Sequence, residues 1–177
     1  LKMNRPEVFN SFNKAMAFQL RDALEDCASD DEVRAIVITG QGKAFCAGQD
    51  LAEATDSNGP ELQTIVQEHY NPIIRKIRAI EKPVIAAVNG VAAGAGANIA
   101  LACDITFAKE SASFIQAFSK IGLIPDSGGT FFLPRIVGMQ KAMALMMTGD
   151  KISARDAEAM NMIYKVIEDD LFDASVT

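Results

Sequence analysis

The sequence has no tryptophan, one histidine, three cysteines and no apolar run long enough to cross a membrane. Each shortage removes a class of function. The lone histidine, His69, cannot build a multi-histidine metal site, and nothing around it supports a histidine-centred catalytic triad. It stands beside Gln67, Glu68 and Tyr70 in an amphipathic stretch, where a solvated helix-surface position is expected. Cys27, Cys46 and Cys103 form no CxxC pair and lack metal-ligand spacing. They read as buried reduced thiols, so the expectation is a cytoplasmic protein with no metal centre. The first residues carry no signal-peptide pattern, and no membrane association is expected. Positive charge is also short: 17 Lys and Arg against 23 Asp and Glu leave a net charge of -6. That balance argues against a nucleic-acid or anionic-membrane surface, which needs clustered Lys and Arg. An anionic small molecule stays open, because a few local cations or backbone N–H groups suffice to hold it.

What is present is an alternation of strand and helix signals over 177 residues, enough for one buried domain and few for two. Asn10 or Ser11 is placed to cap a helix in which Phe12, Met16, Leu20 and Leu24 recur every four residues. Residues 33–39 form a continuous β-branched run, the pattern of a strand buried on both faces. Residues 61–79 read as a second helix that Pro72 should kink or split. Its Arg75, Lys76 and Arg78 read as a solvated basic face. Residues 83–88 are another buried strand, broken by Asn89 and Gly90, and residues 95–102 a short helix of small residues. Short strands are expected at 105–108 and 113–115, a glycine- and proline-rich loop at 121–130, and helices at 140–147 and, capped by Ser153, to residue 160. Met139, Met143, Met146 and Met147 read as core or subunit-interface filler. A last strand is expected at 164–167. The pattern defines an α/β fold with largely parallel sheets and a single domain over 1–177. Leu1 enters at what reads as a strand end and residues 170–177 as a helix start, so both ends are expected to belong to a longer protein.

Three segments carry chemical interest. Gly94-Ala95-Gly96 follows a strand and opens a helix, but Ile99 occupies the third small position that a dinucleotide fingerprint requires. Two readings remain: tight packing of a small-residue helix, or backbone N–H donors aimed at a ligand oxygen. Residues 45–51 also follow a strand, with small residues at 46–48 that leave the backbone accessible; a simple strand-to-helix connection is the plainer alternative. Two such turns after neighbouring strands would aim two N–H groups at one oxygen. Asp126, among Ile121, Leu123, Phe131 and Phe132, is either a turn residue capping the next segment or a carboxylate with raised proton affinity suited to acid–base work.

Taken together, Asn4-Arg5-Pro6, Phe45-Cys46-Ala47-Gly48-Gln49-Asp50-Leu51, Pro83-Val84-Ile85-Ala86-Ala87-Val88-Asn89-Gly90 and Gly94-Ala95-Gly96 resemble the crotonase (enoyl-CoA hydratase/isomerase) superfamily. The resemblance continues through Ala102-Cys103-Asp104, Gly122-Leu123-Ile124-Pro125, Gly128-Gly129-Thr130 and Leu133-Pro134-Arg135, over essentially the whole chain. It implies a crotonase-like spiral of ββα units with C-terminal trimerisation helices. Family members are longer, so the first strand or strands and part of that helical region are expected to lie outside residues 1–177. The resemblance further implies a homotrimer or hexamer, an acyl-CoA substrate and no separate cofactor. Its oxyanion hole would use the backbone N–H groups of Gln49 and Ala95. Ala47, Gly48, Gln49, Asp50, Leu51 and Gly94 would contact the substrate, residues 47–51 facing adenine and pantetheine, with Arg5 and Lys43 as phosphate partners.

Family hydratases use two glutamates, and those positions here carry Asn98 and Phe118. Asp126 stands where similar isomerases carry a catalytic aspartate. A dehalogenase branch also has an aspartate there but expects a pocket tryptophan, which this sequence lacks. The resemblance therefore implies an acyl-CoA isomerase in which Asp126 shifts a proton, moving a double bond or opening a ring epoxide, with Phe118, Ile121, Leu123 and Phe131 walling the acyl pocket. The alternatives are an enoyl-CoA hydratase or other crotonase lyase, and a non-catalytic acyl-CoA-binding protein.

Overall fold

The computed structural model describes residues 1–169. Its strands are β1 (Lys2–Met3), β2 (Ile36–Gly40), β3 (Ala44–Cys46), β4 (Val84–Val88), β5 (Val91–Ala93), β6 (Ile105–Lys109), β7 (Ser113–Ile115), β8 (Lys151–Ser153) and β9 (Lys165–Ile167). The helices are α1 (Lys14–Ser29), α2 (Leu51–Ala54), α3 (Leu62–Thr64), α4 (Asn71–Ala79), α5 (Ala95–Ala102), α6 (Gly129–Val137), α7 (Met139–Thr148) and α8 (Ala154–Ala159). One sheet runs β1-β2-β4-β6-β9, the other β3-β5-β7-β8. Strands therefore come in consecutive pairs that split between sheets: β2 and β3, β4 and β5, β6 and β7. Helices follow each pair, which is the ββα repeat expected. All pairings are parallel except β8 on β7. Ile36, Ile38, Val84, Ala86 and Val88 of the first sheet join Met16, Leu20 and Leu24 of α1 and Ile73 and Ile77 of α4 in one apolar core. No helix among the described residues is long and apolar enough to cross a membrane.

Several expectations shift. The cap of α1 is Asn13, whose side chain accepts from the Met16 N–H, rather than Asn10 or Ser11. Asn10 is instead buried with φ 55, its amide nitrogen donating to the carbonyls of Gln41 and Ala44. The strand expected at 33–39 begins at Ile36, and Val37 is 38% exposed, so only one of its faces is fully covered. Pro72 does not split the second helix: α3, a π-helical turn over Ile65–Tyr70 and α4 follow one another with helical backbone at each junction, and the proline comes directly after the widened turn. Arg78 on its basic face pairs with Asp104 at 2.7 Å, and Lys76 pairs with Glu25. Helix α6 replaces the far end of the expected loop despite Pro134 inside it. Of the two readings of the methionines, core filling holds for Met146, which packs against the core, while Met139, Met143 and Met147 are exposed. The helix start expected at 170–177 lies outside the described residues.

His69 is the clearest reversal: it is 2% exposed, not on the helix surface. The π-helical turn shifts it inward, edge-on to Phe18 at 5.7 Å, with neither ring nitrogen hydrogen-bonded. Burial lowers its pKa, with Lys14 acting in the same direction and Glu53 and Glu68 opposing. A depressed folded-state pKa means that the unfolded chain takes up a proton near pH 6.5 that the folded chain refuses. Stability from this residue is therefore full above about pH 6.5 and falls as the pH drops below it. The melting temperature is expected to fall between pH 7 and pH 5, and His69→Phe should remove that component; parallel wild-type and variant curves would contradict it.

Candidate active site

The sheet topology brings two turns together. Strands β3 and β5 pair in parallel, with Ala44 opposite Val91 and Cys46 opposite Ala92, so the turns after them emerge side by side at their carboxyl ends. Gly48 in the first turn has φ +94, and a Cβ there would stand 3.0 Å from the Ala93 carbonyl oxygen and 3.5 Å from the Ala95 nitrogen. Only glycine allows both that conformation and that contact. The second turn is equally close, because a Cβ on Gly96 would fall 2.3 Å from the Cys46 carbonyl oxygen. The Phe12 N–H donates to the Gly48 carbonyl at 2.7 Å, and the Asp50 N–H donates to the Phe12 carbonyl at 2.8 Å. In a trans peptide the next N–H points opposite to the carbonyl, so Phe12 directs the Gln49 N–H away from itself. Ala95 is the first residue of α5, and its N–H has no carbonyl one turn behind.

The Gln49 side chain is held at both ends. The Tyr70 hydroxyl donates to Oε1 at 2.8 Å, and Nε2 donates to Glu53 Oε2 at 2.9 Å. Burial drives the Tyr70 pKa well above its ordinary value, with Cys46, Asp126 and Glu53 adding to the effect, so the hydroxyl stays protonated and all of these groups lie within electrostatic reach. The Cys46 thiol is pushed up to about 12 by burial and is inert. Asp50, expected to touch substrate, has structural partners: Oδ1 accepts from Ala52 N–H and caps α2, while Oδ2 takes Arg5 at 2.9 Å. Arg5 also donates to the Ser11 carbonyl at 2.7 Å, so it is engaged inside the fold and not held out for a phosphate. Ala47 and Lys43 are exposed, and Leu51 is 67% exposed.

Asp126 lies partly buried in the loop before α6. Its carboxylate does not cap that helix: α6 begins after Gly128 with no side-chain cap, and the Gly129 N–H goes to the Asp126 backbone carbonyl at 2.8 Å. The carboxylate accepts from the Ser127 hydroxyl at 2.8 Å, and Ser127 is itself in the left-handed region at φ 50. Such strain on a non-glycine residue collects at functional sites. Burial raises the Asp126 pKa, and the Ser127 hydrogen bond opposes the shift. Asn98 holds this loop. It is fully buried, its Nδ2 donates to the Asp126 backbone carbonyl at 2.9 Å, and its Oδ1 accepts from Gln116 Nε2 at 2.8 Å. Asn98 lies one turn along α5 from Ala95, so the loop with the carboxylate is tied to the helix whose first N–H is unpaired within the turn.

The expected acyl-pocket wall is only partly formed. Phe118 is 5% exposed and its ring lies near Gly94, whereas Ile121 is 65% and Phe131 is 53% exposed. Phe131 is covered instead by the Arg135 guanidinium, 3.7 Å from its ring centre. Leu123 is half-buried. Tyr70, Glu53 and Gln116 belong to the constellation and carry no motif of their own. The one local cue is Pro72, which follows the π-helical turn that ends at Tyr70.

A ββα spiral with paired turns at β3 and β5 and an anchored acid beyond them defines a class. The family model described as enoyl-CoA hydratase/isomerase matches residues 1–176, and the chain belongs to that family. It is 49% identical over 173 residues to the 1,2-epoxyphenylacetyl-CoA isomerase of Escherichia coli (strain K12), covering 96% of this chain and 66% of that relative. It is 48% identical over 169 residues to a "Probable enoyl-CoA hydratase" of Rhodobacter capsulatus, covering 96% of this chain and 65% of the relative. The chain thus spans just under two thirds of the length of these curated relatives. The crystal structure of an enoyl-CoA hydratase from Bacillus anthracis superposes with a TM-score of 0.89 at 34% identity, over 98% of this chain and 67% of that one. The fold is the crotonase-like spiral expected.

The clamp has a measurable weight. Asn98→Ala strands the buried Gln116 Nε2, at about 1–3 kcal/mol, and takes from the Asp126 carbonyl one of its two hydrogen bonds, worth about 1 kcal/mol more. A stability loss of about 2–4 kcal/mol is expected in urea unfolding; a loss near zero would show that Asn98 does not hold the loop.

Proposed function

We propose that the protein is an acyl-CoA isomerase in which the Gln49 and Ala95 N–H groups hold a thioester oxygen and Asp126 moves the proton. Negative charge gathers on that oxygen as the carbon beside the carbonyl loses a proton, and two preorganised amides stabilise it where water is displaced. With a 3-enoyl thioester, the Asp126 carboxylate takes a proton from C2, and electrons shift through the conjugated system onto the thioester oxygen. The carboxylic acid then returns the proton to C4. The double bond moves from C3–C4 to C2–C3, and the carboxylate is regenerated. One base serving two carbons is the economy this arrangement favours.

The observation that carries the proposal is Asp126 itself: a carboxylate of raised proton affinity, engaged in no cap, on a loop clamped to the helix that starts at Ala95. The names of the two curated relatives do not choose between isomerase and hydratase, but the residues lean one way. The hydratase route needs two carboxylates that position and activate water. Asn98 is spent on a backbone carbonyl, and Phe118 cannot take up a proton. The 49% identity to an epoxide isomerase supports a wider substrate range, in which the same enolate chemistry opens a ring epoxide to an oxepin and serves phenylacetate degradation. We extend the family expectation to a trimer or dimer of trimers. The exposed Ile121, Ile124, Phe131, Met139, Met143 and Met147, on segments that follow one another along the chain, favour that assembly.

Asp126→Asn should lower isomerisation of 3-hexenoyl-CoA by at least about 10²-fold, in line with loss of a positioned acid–base group. The readout is the ultraviolet absorbance of the conjugated 2-enoyl product. Retention of most activity would remove Asp126 from the mechanism, and binding of acyl-CoA without turnover by the wild type would favour a binding protein. The pH profile is a further check. The base works ionised, so kcat/KM should rise with pH, with its midpoint displaced above the ordinary aspartate value of about 4. A midpoint at or below that value would place the titrating group elsewhere.

A further inference from the structure

Tyr70 does nothing in the proton transfer described above, yet it is the most voluminous fully buried side chain, at 1% exposure. Its ring meets Phe12 edge-on, with centres 5.7 Å apart. Phe12 is the residue whose N–H and carbonyl grip the backbone on either side of Gln49. The hydroxyl donates to Gln49 Oε1 at 2.8 Å. Because the Glu53 carboxylate only accepts, Gln49 must turn Nε2 toward it and Oε1 toward Tyr70. Glu53 is anchored in turn by the Lys14 N–H, 2.9 Å from Oε1, at the start of α1.

This network reinforces a thinly held joint of the site. Gly48 takes φ +94, and one hydrogen bond, from the Phe12 N–H to its carbonyl, sets the tilt of the peptide that carries the Gln49 N–H. A freely pivoting amide is a poor oxyanion donor, since catalysis gains only from donors already aimed at the developing charge. We infer that Tyr70 is a positioning residue, which through the Gln49 side chain holds the Gly48–Gln49 peptide with its N–H turned into the site. The inference rests on the oxyanion role proposed for Gln49. A phenylalanine would fill the same space, so the hydroxyl is the informative atom.

Tyr70→Phe in the full chain removes that atom alone. Isomerisation of 3-hexenoyl-CoA is expected to fall about 10-fold in kcat with KM little changed, short of the roughly 10²–10³-fold lost when an oxyanion donor is removed outright. The discriminating readout is the 13C resonance of bound hexanoyl-CoA labelled at its thioester carbonyl. In the wild type it should move downfield on binding, and in Tyr70→Phe it should move back toward the free position. Gln49→Met, which keeps the backbone N–H, should reproduce the effect, and the double variant should be no worse than either single one. Wild-type behaviour of Tyr70→Phe, or lost activity with an unmoved resonance, would overturn the inference. Asp126→Asn separates it from the proton-transfer reading. If Asp126→Asn stays active while Tyr70→Phe loses the carbonyl shift, the base assignment fails and the positioning role stands. Absence of any downfield shift in the wild type removes the oxyanion site and this inference with it.

Discussion

One buried amide sets the geometry on which the site depends. Asn98 takes a hydrogen bond from Gln116 and gives one to the main chain at Asp126. Through it, helix α5 and the loop before α6 become a single rigid piece. A polar group with no access to water must keep its partners or forfeit its desolvation cost, so the arrangement resists drift. That matters because Asp126 has little else to hold it: a single serine hydroxyl touches its carboxylate. The environment that leaves the carboxylate thinly solvated also makes it more basic, and the clamp on its main chain lets it stay so without moving.

The opposite side of the site is built on close backbone approach. Gly48 and Gly96 let the turn after β3 and the start of α5 press together at distances that a side chain would forbid. Of the two donors proposed for the thioester oxygen, one is the first residue of α5 and the other lies in this turn. The proposed acid and amides would thus come from three chain segments joined by α5. The parallel order of β3 and β5 does the rest, since it delivers both turns to the same edge.

Much of this was legible in the residues. The alternation of strands and helices and the small-residue helix at Ala95–Ala102 follow from hydrophobic period and glycine placement, while the ββα order came from the family resemblance. What was not legible has physical causes. His69 was placed on the surface because a helical wheel assumes 3.6 residues per turn, and the clamp made by Asn98 is visible only through partners distant in sequence. His69 sits on a wider π turn, and the partners of Asn98 lie at Gln116 and Asp126. The family resemblance places Asp50 and Arg5 toward a ligand; their pairing across 45 residues uses both charges internally. Ile121 and Phe131 are walls that the resemblance implies, and neither the resemblance nor their apolar character says how far each faces solvent.

The π-helical turn over Ile65–Tyr70 has a consequence for how this segment can change length. A widened turn holds one residue more than an α-helix would, so the stretches before and after it are out of phase. Excising a single residue there would tighten the turn to α pitch and press the Pro72 ring against the carbonyl one turn back, at a cost of about 3 kcal/mol. The same excision would swing His69 and Tyr70 around the axis, off Phe18 and Phe12. The extra residue is therefore a spacer that makes room for the proline and lets two neighbouring side chains face the interior together.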